Sequence, residues 1–346
     1  GHPGPATGWI VGRVKVVEET GAVQGIREAA NAIGQLTGHE IPMNLTTSSM
    51  NRMAFTTREP VGVVAAVSAF NHPFNLIVHQ VIPGVAVGCP VIVKPALITP
   101  LSCLNLVNCL YEAGLPKEWV QVAICENSLA EKIVTDPRVS FLTFIGSGKV
   151  GWGLRSKLAP GVRCALEHGG AAPVIVEADA DIDDALPLLA KGGFYHAGQV
   201  CVSVQRVFVH EEIEEEFSRK LADIAGKLVV GDPVDEKTEV GPLIQEREVE
   251  RIHKWVEEAK AGGGKILTGG KKIGKTCYEP TVILNPPYDA NVSQCEIFGP
   301  VINIYSYKNR TDAIKLANDV TFSFQAAVFT SDITACPLYN STNPRN

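Results

Sequence analysis

Val61-Gly62-Val63-Val64-Ala65-Ala66-Val67 contains no polar side chain and is dominated by β-branched residues and alanine. Such a run reads as a strand buried on both faces of a parallel sheet. A helical stretch from about Leu76 to Val87 follows it, then a second apolar run, Pro90-Val91-Ile92-Val93-Lys94, halted by Pro95. The alternation continues through a helix at 102–113, a strand at 119–123, a helix at 128–135 and a strand at 139–145. Strands alternating with helices make βαβ units, which connect right-handedly into a doubly wound sheet of the nucleotide-binding type. Upstream lie a helix-like stretch from about Ala22 to Leu36 and a polar, β-prone segment from Ile41 to Glu59. Beyond Gly170 come a strand at 173–177, an acidic turn at 179–184, an apolar helix ending near His196 and a strand at 205–210. The stretch Glu211 to Leu228 is an amphipathic helix whose acidic start suits its dipole. A further α/β unit follows, with Gly262-Gly263-Gly264 and Gly269-Gly270 marking tight loops. The expected fold class is therefore α/β, a doubly wound parallel-sheet domain followed by a second α/β domain.

At 346 residues the chain has room for about two domains, each large enough for its own core. Its 45% hydrophobic and 20% charged content is that of a soluble globular protein. A net charge of −6 offers no footprint for nucleic acid or an anionic membrane surface. No apolar run approaches the ~20 residues of a membrane helix, and the Pro/Gly-rich start lacks a signal-peptide profile. The nine cysteines are odd in number, scattered and free of C-x-x-C pairs, so a reducing cytoplasm is expected rather than a zinc or disulfide framework. The histidines at 72, 79, 168, 196 and 210 show no metal-ligand spacing, and no metal is expected.

Two residues suit thioester chemistry. Cys201 lies in Gly198-Gln199-Val200-Cys201-Val202-Ser203, and Glu167 lies upstream in Leu166-Glu167-His168-Gly169-Gly170. A thiolate attacks carbonyl carbon, and a carboxylate of raised pKa can take a proton from water. Taken singly, a cysteine between valines is more often a small core residue. The turn Gly146-Ser147-Gly148-Lys149-Val150-Gly151 has the G-x-G-x-x-G spacing, follows an expected strand and opens an expected helix, the context in which backbone N–H groups hold pyrophosphate. The acid that would bind ribose about 20 residues on is not evident. Glu167 lies near that distance but precedes Gly-Gly rather than a strand-end turn.

From about Ala22 to Thr330 the chain resembles the aldehyde dehydrogenase superfamily, and the motifs that carry the likeness occur in the family's order. Phe70-Asn71-His72-Pro73-Phe74 resembles the segment whose asparagine stabilises an oxyanion, Val93-Lys94-Pro95 the cofactor-ribose lysine, and Phe144-Ile145-Gly146-Ser147 the pyrophosphate turn. The segments holding Glu167 and Cys201 resemble the general-base and nucleophile motifs. Glu296-Ile297-Phe298-Gly299-Pro300 resembles the segment that holds the nicotinamide-side ribose. The resemblance implies an oxidoreductase that turns a small polar aldehyde, such as a lactaldehyde, semialdehyde or phosphono- or sulfo-aldehyde, into its acid. Catalysis would rest on Cys201, Glu167 and Asn71. Lys94, Gly146, Ser147, Gly151, Glu296 and Phe298 would bind NAD or NADP.

It further implies a dinucleotide-binding domain at 1–40 and 60–168, an oligomerisation hairpin at 41–59, a catalytic thiol domain at 169–330 and an irregular tail at 331–346. A cytoplasmic homo-oligomer, dimer or tetramer, is expected. Leu97 stands where the family often has a glutamate that repels a 2′-phosphate, so both dinucleotides remain open. His168 and Ala171 replace a common apolar residue and a common lysine, and the family is commonly longer at both ends. Two other classes stay open. One is a CoA-acylating semialdehyde dehydrogenase, a branch that generally lacks the glutamate base. The other is a truncated, non-catalytic relative.

Overall fold

The computed structural model describes residues 13–332 and 334. Residues 1–12 of the expected first domain and most of the expected tail, Cys336 included, lie outside the described residues. The chain divides into two compact units, Arg13–His168 and the part from Gly169 onward.

In the first unit, helix α1 (Arg13–Ile33) is followed by two short strands, β1 (Glu40–Ile41) and β2 (Ala54–Phe55), paired antiparallel with Glu40 opposite Phe55. The β-prone segment expected over 41–59 thus pairs over far less of its length. The Thr46 N–H donates to Ser49 Oγ, and the hydroxyls of Thr46, Ser48 and Ser49 bond one another, a local alternative that competes with a ladder. Then come β3 (Val63–Val67), α2 (Asn75–Ala86), β4 (Val91–Lys94), α3 (Leu101–Glu112), β5 (Val120–Val122), α4 (Asn127–Val134), β6 (Val139–Ile145), α5 (Gly148–Arg155) and β7 (Arg163–Glu167).

The five strands from β3 to β7 are all parallel, in the order β5-β4-β3-β6-β7. Successive side chains of β3 point to opposite faces. Val64 and Ala66 pack with Ala22, Ile77, Val81 and Leu106 of α1, α2 and α3, while Ala65 packs with Val134, Leu142 and Leu154 on the other side. Helices therefore cover both faces, which is why the run at 63–67 needs no polar residue.

Strand β7 corrects the sequence reading, because Glu167 does close a strand, pairing beside Ile145. Its stretch Arg163-Cys164-Ala165-Leu166-Glu167 has little β propensity and lies at the sheet edge, so pairing with β6 decides its conformation.

The second unit runs β8 (Ala172–Val176), α6 (Ile182–Phe194), β9 (Val204–His210), α7 (Glu214–Lys227), α8 (Glu246–Ala261), β10 (Lys265–Thr268), β11 (Lys272–Ile273), β12 (Cys277–Tyr278), β13 (Thr281–Leu284), α9 (Asn291–Gln294), β14 (Val301–Tyr307), α10 (Arg310–Asn318) and β15 (Ala327–Phe329). Six strands form one sheet in the order β10-β13-β14-β9-β8-β15, parallel except for β10 at the edge. Strands β11 and β12 make a separate antiparallel pair.

Asp181, at the end of the acidic turn, caps α6 by accepting from the N–H groups of Asp183 and Asp184. Helix α7 starts later than expected, at Glu214, because residues 211–213 turn back on His210: the Ile213 N–H donates to the His210 carbonyl. The class expected from the sequence, a doubly wound parallel sheet with a second α/β domain, is the class observed. Among the described residues no helix is long and apolar enough to cross a membrane, and no group of three or more His, Cys, Asp or Glu could hold a metal ion.

Candidate active site

In a parallel sheet the strand order reverses at one point, and loops leaving the carboxyl ends there diverge to open a crevice. In the first unit that point lies between β3 and β6. Asn71 is buried on the loop after β3, and the turn Gly146-Ser147 follows β6. Lys94 is the last residue of β4, buried, with Nζ donating over 3.5 Å to Oδ1 of Asn127 at the start of α4. Glu167, exposed, is the last residue of β7, and its backbone carbonyl accepts from the Gly146 N–H at 3.1 Å. The residues singled out in this unit therefore share the carboxyl edge of one sheet.

Ser147 caps α5 from an extended backbone without using its hydroxyl as the cap, which leaves first-turn N–H groups to face an anion. The Phe144 ring occupies the space that a Cβ at Gly146 or Gly151 would need, so both glycines also have a packing reason. A dinucleotide fits this donor set, with a lysine ammonium, a helix N-terminus and a close backbone turn on one edge. His168, next to Glu167, accepts from Trp152 Nε1 at 3.2 Å, and Arg155 lies over the Trp152 ring at 4.8 Å.

In the second unit the expected residues lie at the amino edge of the sheet. Cys201, half-buried, sits on the turn leading into β9, while Glu296 and Phe298 precede β14. Helix α6 ends in a tight turn, Tyr195–Gly198, in which His196, Ala197 and Gly198 all have positive φ. Gly198 is required there twice over, since φ is +68° and an added Cβ would overlap the Gly299 carbonyl. Gln199 fastens the turn: its amide donates to the carbonyls of His196 and Pro242, and its carbonyl accepts from the Ile244 N–H. Ser203 closes it from the other side, with its N–H donating to the Val200 carbonyl at 3.0 Å. Burial first, then the Cys201 sulfur, pushes the Tyr195 phenol upward.

Glu296 is held against backbone. A Cβ at Gly169 would overlap its Oε1, which has no hydrogen-bond partner in its buried position. Burial pushes its carboxyl from the ordinary 4.5 up to about 7, opposed by the charge of Arg251 and a hydrogen bond from the Gly170 N–H. Phe298 takes the left-handed conformation (φ 50°) that re-aims the chain into Gly299-Pro300. Val200, Ser203 and Gln205 come together here with Glu296, Phe298 and Gly299 around a small hollow.

Several residues that shape this edge were not singled out from the sequence. Arg251, on α8, donates to the Ile297 carbonyl at 2.7 Å and stacks 4.6 Å over Trp255. In the sequence it reads as one more charge on a charged helix. Arg206, 2% exposed, donates to the carbonyls of Ala171, Leu316 and Ala317, joining the residue after Gly169-Gly170 to the carboxyl end of α10. A buried arginine within an apolar strand run was the available signal.

The chain matches the aldehyde dehydrogenase family over residues 7–339. It is 41% identical over 314 residues to a 3-sulfolactaldehyde dehydrogenase of Priestia aryabhattai, covering 90% of this chain and 65% of that relative. Among solved structures, aldehyde dehydrogenase 21 from Physcomitrella patens in complex with the reaction product succinate superposes with a TM-score of 0.90 at 36% identity, covering 94% of this chain and 67% of that one. The glyceraldehyde-3-phosphate dehydrogenase GapN from Methanocaldococcus jannaschii, complexed with NADP, superposes at 0.88 with 35% identity, covering 94% and 70%. The chain thus spans 65% of the length of the first curated relatives it matches.

Proposed function

Since the chain belongs to the aldehyde dehydrogenase family, we propose that it oxidises a small polar aldehyde to the carboxylic acid with NAD or NADP as hydride acceptor. The observation that carries the reading is the Cys201 turn, whose strained, glycine-dependent backbone is fastened by Gln199 and Ser203 and presents a half-buried thiol at a sheet edge. A cysteine serving only to fill a core would need no such frame.

The Cys201 thiolate attacks the aldehyde carbon and forms a thiohemiacetal. The Asn71 side-chain amide and a backbone N–H at the cysteine hold its oxyanion, donors worth about 3 kcal/mol each in a transition state. The bound nicotinamide supplies the two-electron sink for hydride. Loss of hydride leaves a thioester on Cys201. Glu167 then takes a proton from a water, the hydroxide adds to the thioester carbon, and the acid departs as the thiolate is restored. With the dinucleotide bound, Lys94 and Glu296 would hold ribose hydroxyls, Gly146, Ser147 and Gly151 would shape the pyrophosphate turn, and Phe298 would pack by the nicotinamide ribose. Glu167 favours water over CoA as the acyl acceptor. Leu97, exposed just beyond β4, places no negative charge against a 2′-phosphate.

In this reading residues 1–40 and 60–168 bind the dinucleotide and 169–330 carry the thiol chemistry. The hairpin at 41–59 is an arm between copies of the chain, and its exposed Leu45 (82%), Met53 (84%) and Phe55 (69%) support that role. A cytoplasmic location belongs to this reading, in keeping with cysteines that are scattered along the sequence and form no C-x-x-C pair. The substrate is a short aldehyde bearing a polar or anionic group, in keeping with the 3-sulfolactaldehyde named for the relative.

The test is the appearance of reduced nicotinamide with a panel of such aldehydes, NAD and NADP in separate assays, for the chain and its Cys201→Ala variant. Turnover that vanishes in the variant is the expected result. Folded protein inactive with every aldehyde would sink the proposal in favour of a non-catalytic relative.

A further inference from the structure

Gln205 is 4% exposed on β9, the strand that Cys201 leads into. Its side-chain amide donates to the carbonyls of Val292 (3.1 Å) and Cys295 (2.6 Å), and its carbonyl accepts from the Ile297 N–H (2.9 Å). Two of these three bonds grip the residues on either side of Glu296. That segment needs such a grip, because it lies between the end of α9 and the start of β14 and belongs to neither. Arg251 also holds it, donating to the Ile297 carbonyl from α8.

We propose that Gln205 is a positioning residue that splices the nucleophile strand to the Glu296–Phe298 segment, so that one strand sets the pose of both. The functional half of this rests on reading Glu296 and Phe298 as residues that contact the cofactor ribose. Only an uncharged side chain that both donates and accepts, with the reach of glutamine, meets all three backbone groups. A carboxylate would lose the donors, an asparagine lacks the length, and an apolar chain would leave the Ile297 N–H and the Cys295 carbonyl without their partner. Val292 is a different case, since its carbonyl also accepts from Asn303 Nδ2 at 2.7 Å. Loss of Gln205 should therefore loosen 295–299 and leave α9 in place.

The experiment is Gln205→Met, which keeps the volume and removes the bonds, read by peptide-level hydrogen exchange and by equilibrium binding of NAD and NADP. Expected are faster exchange confined to 295–299 and cofactor affinity weaker by about tenfold, the equivalent of one strong hydrogen bond. The rate of Cys201 alkylation by iodoacetamide without cofactor should stay unchanged, and in turnover KM for the cofactor should rise while kcat at saturating cofactor holds. A general loss of structure would instead raise exchange in β9 and β14 and alter the alkylation rate, which would overturn the proposal. Unchanged exchange at 295–299, or faster exchange with unchanged affinity, would overturn it as well. If the unsubstituted chain binds neither dinucleotide, the cofactor reading fails, and the splice then stands or falls on exchange alone. Should Gln205→Met not fold, Gln205→Asn withdraws the same bonds with a smaller change to the core.

Discussion

Glu296 holds a carboxyl against the backbone of Gly169 with one oxygen unpartnered, and the cost of that placement depends on pH. Its pKa is raised from 4.5 to about 7 on folding, so across that window the folded state keeps a proton that the unfolded state releases. The unfolded state then binds fewer protons, and stability falls as pH rises from 4.5 to about 7 and levels off above. The loss is at most about 3 kcal/mol. Urea unfolding of Glu296→Gln beside the unsubstituted chain should show a flatter profile between those pH values; parallel profiles would contradict the assignment. Glu167→Gln should retain a burst of reduced cofactor, about one equivalent, and then stall at the thioester, with steady turnover lower by about 10²-fold or more. Rapid-mixing kinetics would detect the burst, and unimpaired turnover would remove Glu167 as the base. At this scale the sequence displayed the residues proposed to react, because their types announce their chemistry. It concealed Gln205, Arg206 and Arg251, whose partners are backbone groups far along the chain.

The element that frames the cysteine is a turn of left-handed residues, with Gly198 fitted under the Gly299 carbonyl. Gly198→Ala forces a Cβ into a positive-φ site already occupied by backbone, a change that costs more than about 1 kcal/mol. Thermal unfolding should register the loss, and iodoacetamide should label Cys201 at an altered rate; an unaltered rate would mean that the turn does not set thiol presentation. The α6 cap gives a control away from this edge: Asp181→Ala should cost about 1 kcal/mol without changing the labelling rate. The apolar strands were legible in sequence because a run with no polar residue has one stable place, between two helix layers. Edge strand β7 was not, since Arg163-Cys164-Ala165-Leu166-Glu167 has no pattern of its own and is extended only because β6 pairs with it.

At the scale of the molecule, the hairpin of β1 and β2 exposes Leu45, Met53 and Phe55 on a pairing of two residues per strand, too short to be stable by itself in water. Sedimentation should show an oligomer that Met53→Ser with Phe55→Ser dissociates while leaving the circular dichroism of the two α/β units unchanged. A monomeric unsubstituted chain would remove the arm from the proposal.

What the amino-acid sequence determined by itself was the fold class and the order of the apolar strands and their helices, since hydrophobic period and glycine turns act locally. It also marked the residues whose chemistry is intrinsic: the thiol of Cys201, the carboxylates of Glu167 and Glu296, and the ammonium of Lys94. Tertiary structure alone decided which strand ends share an edge, Asn71 with Ser147 at the reversal of one sheet and Cys201 with Glu296 at the amino edge of the other. It alone decided that Glu296 is pressed against Gly169 and gripped through its neighbours by Gln205. The physical reason is that burial and hydrogen-bond partners are properties of neighbours in space, and those neighbours lie far apart along the chain.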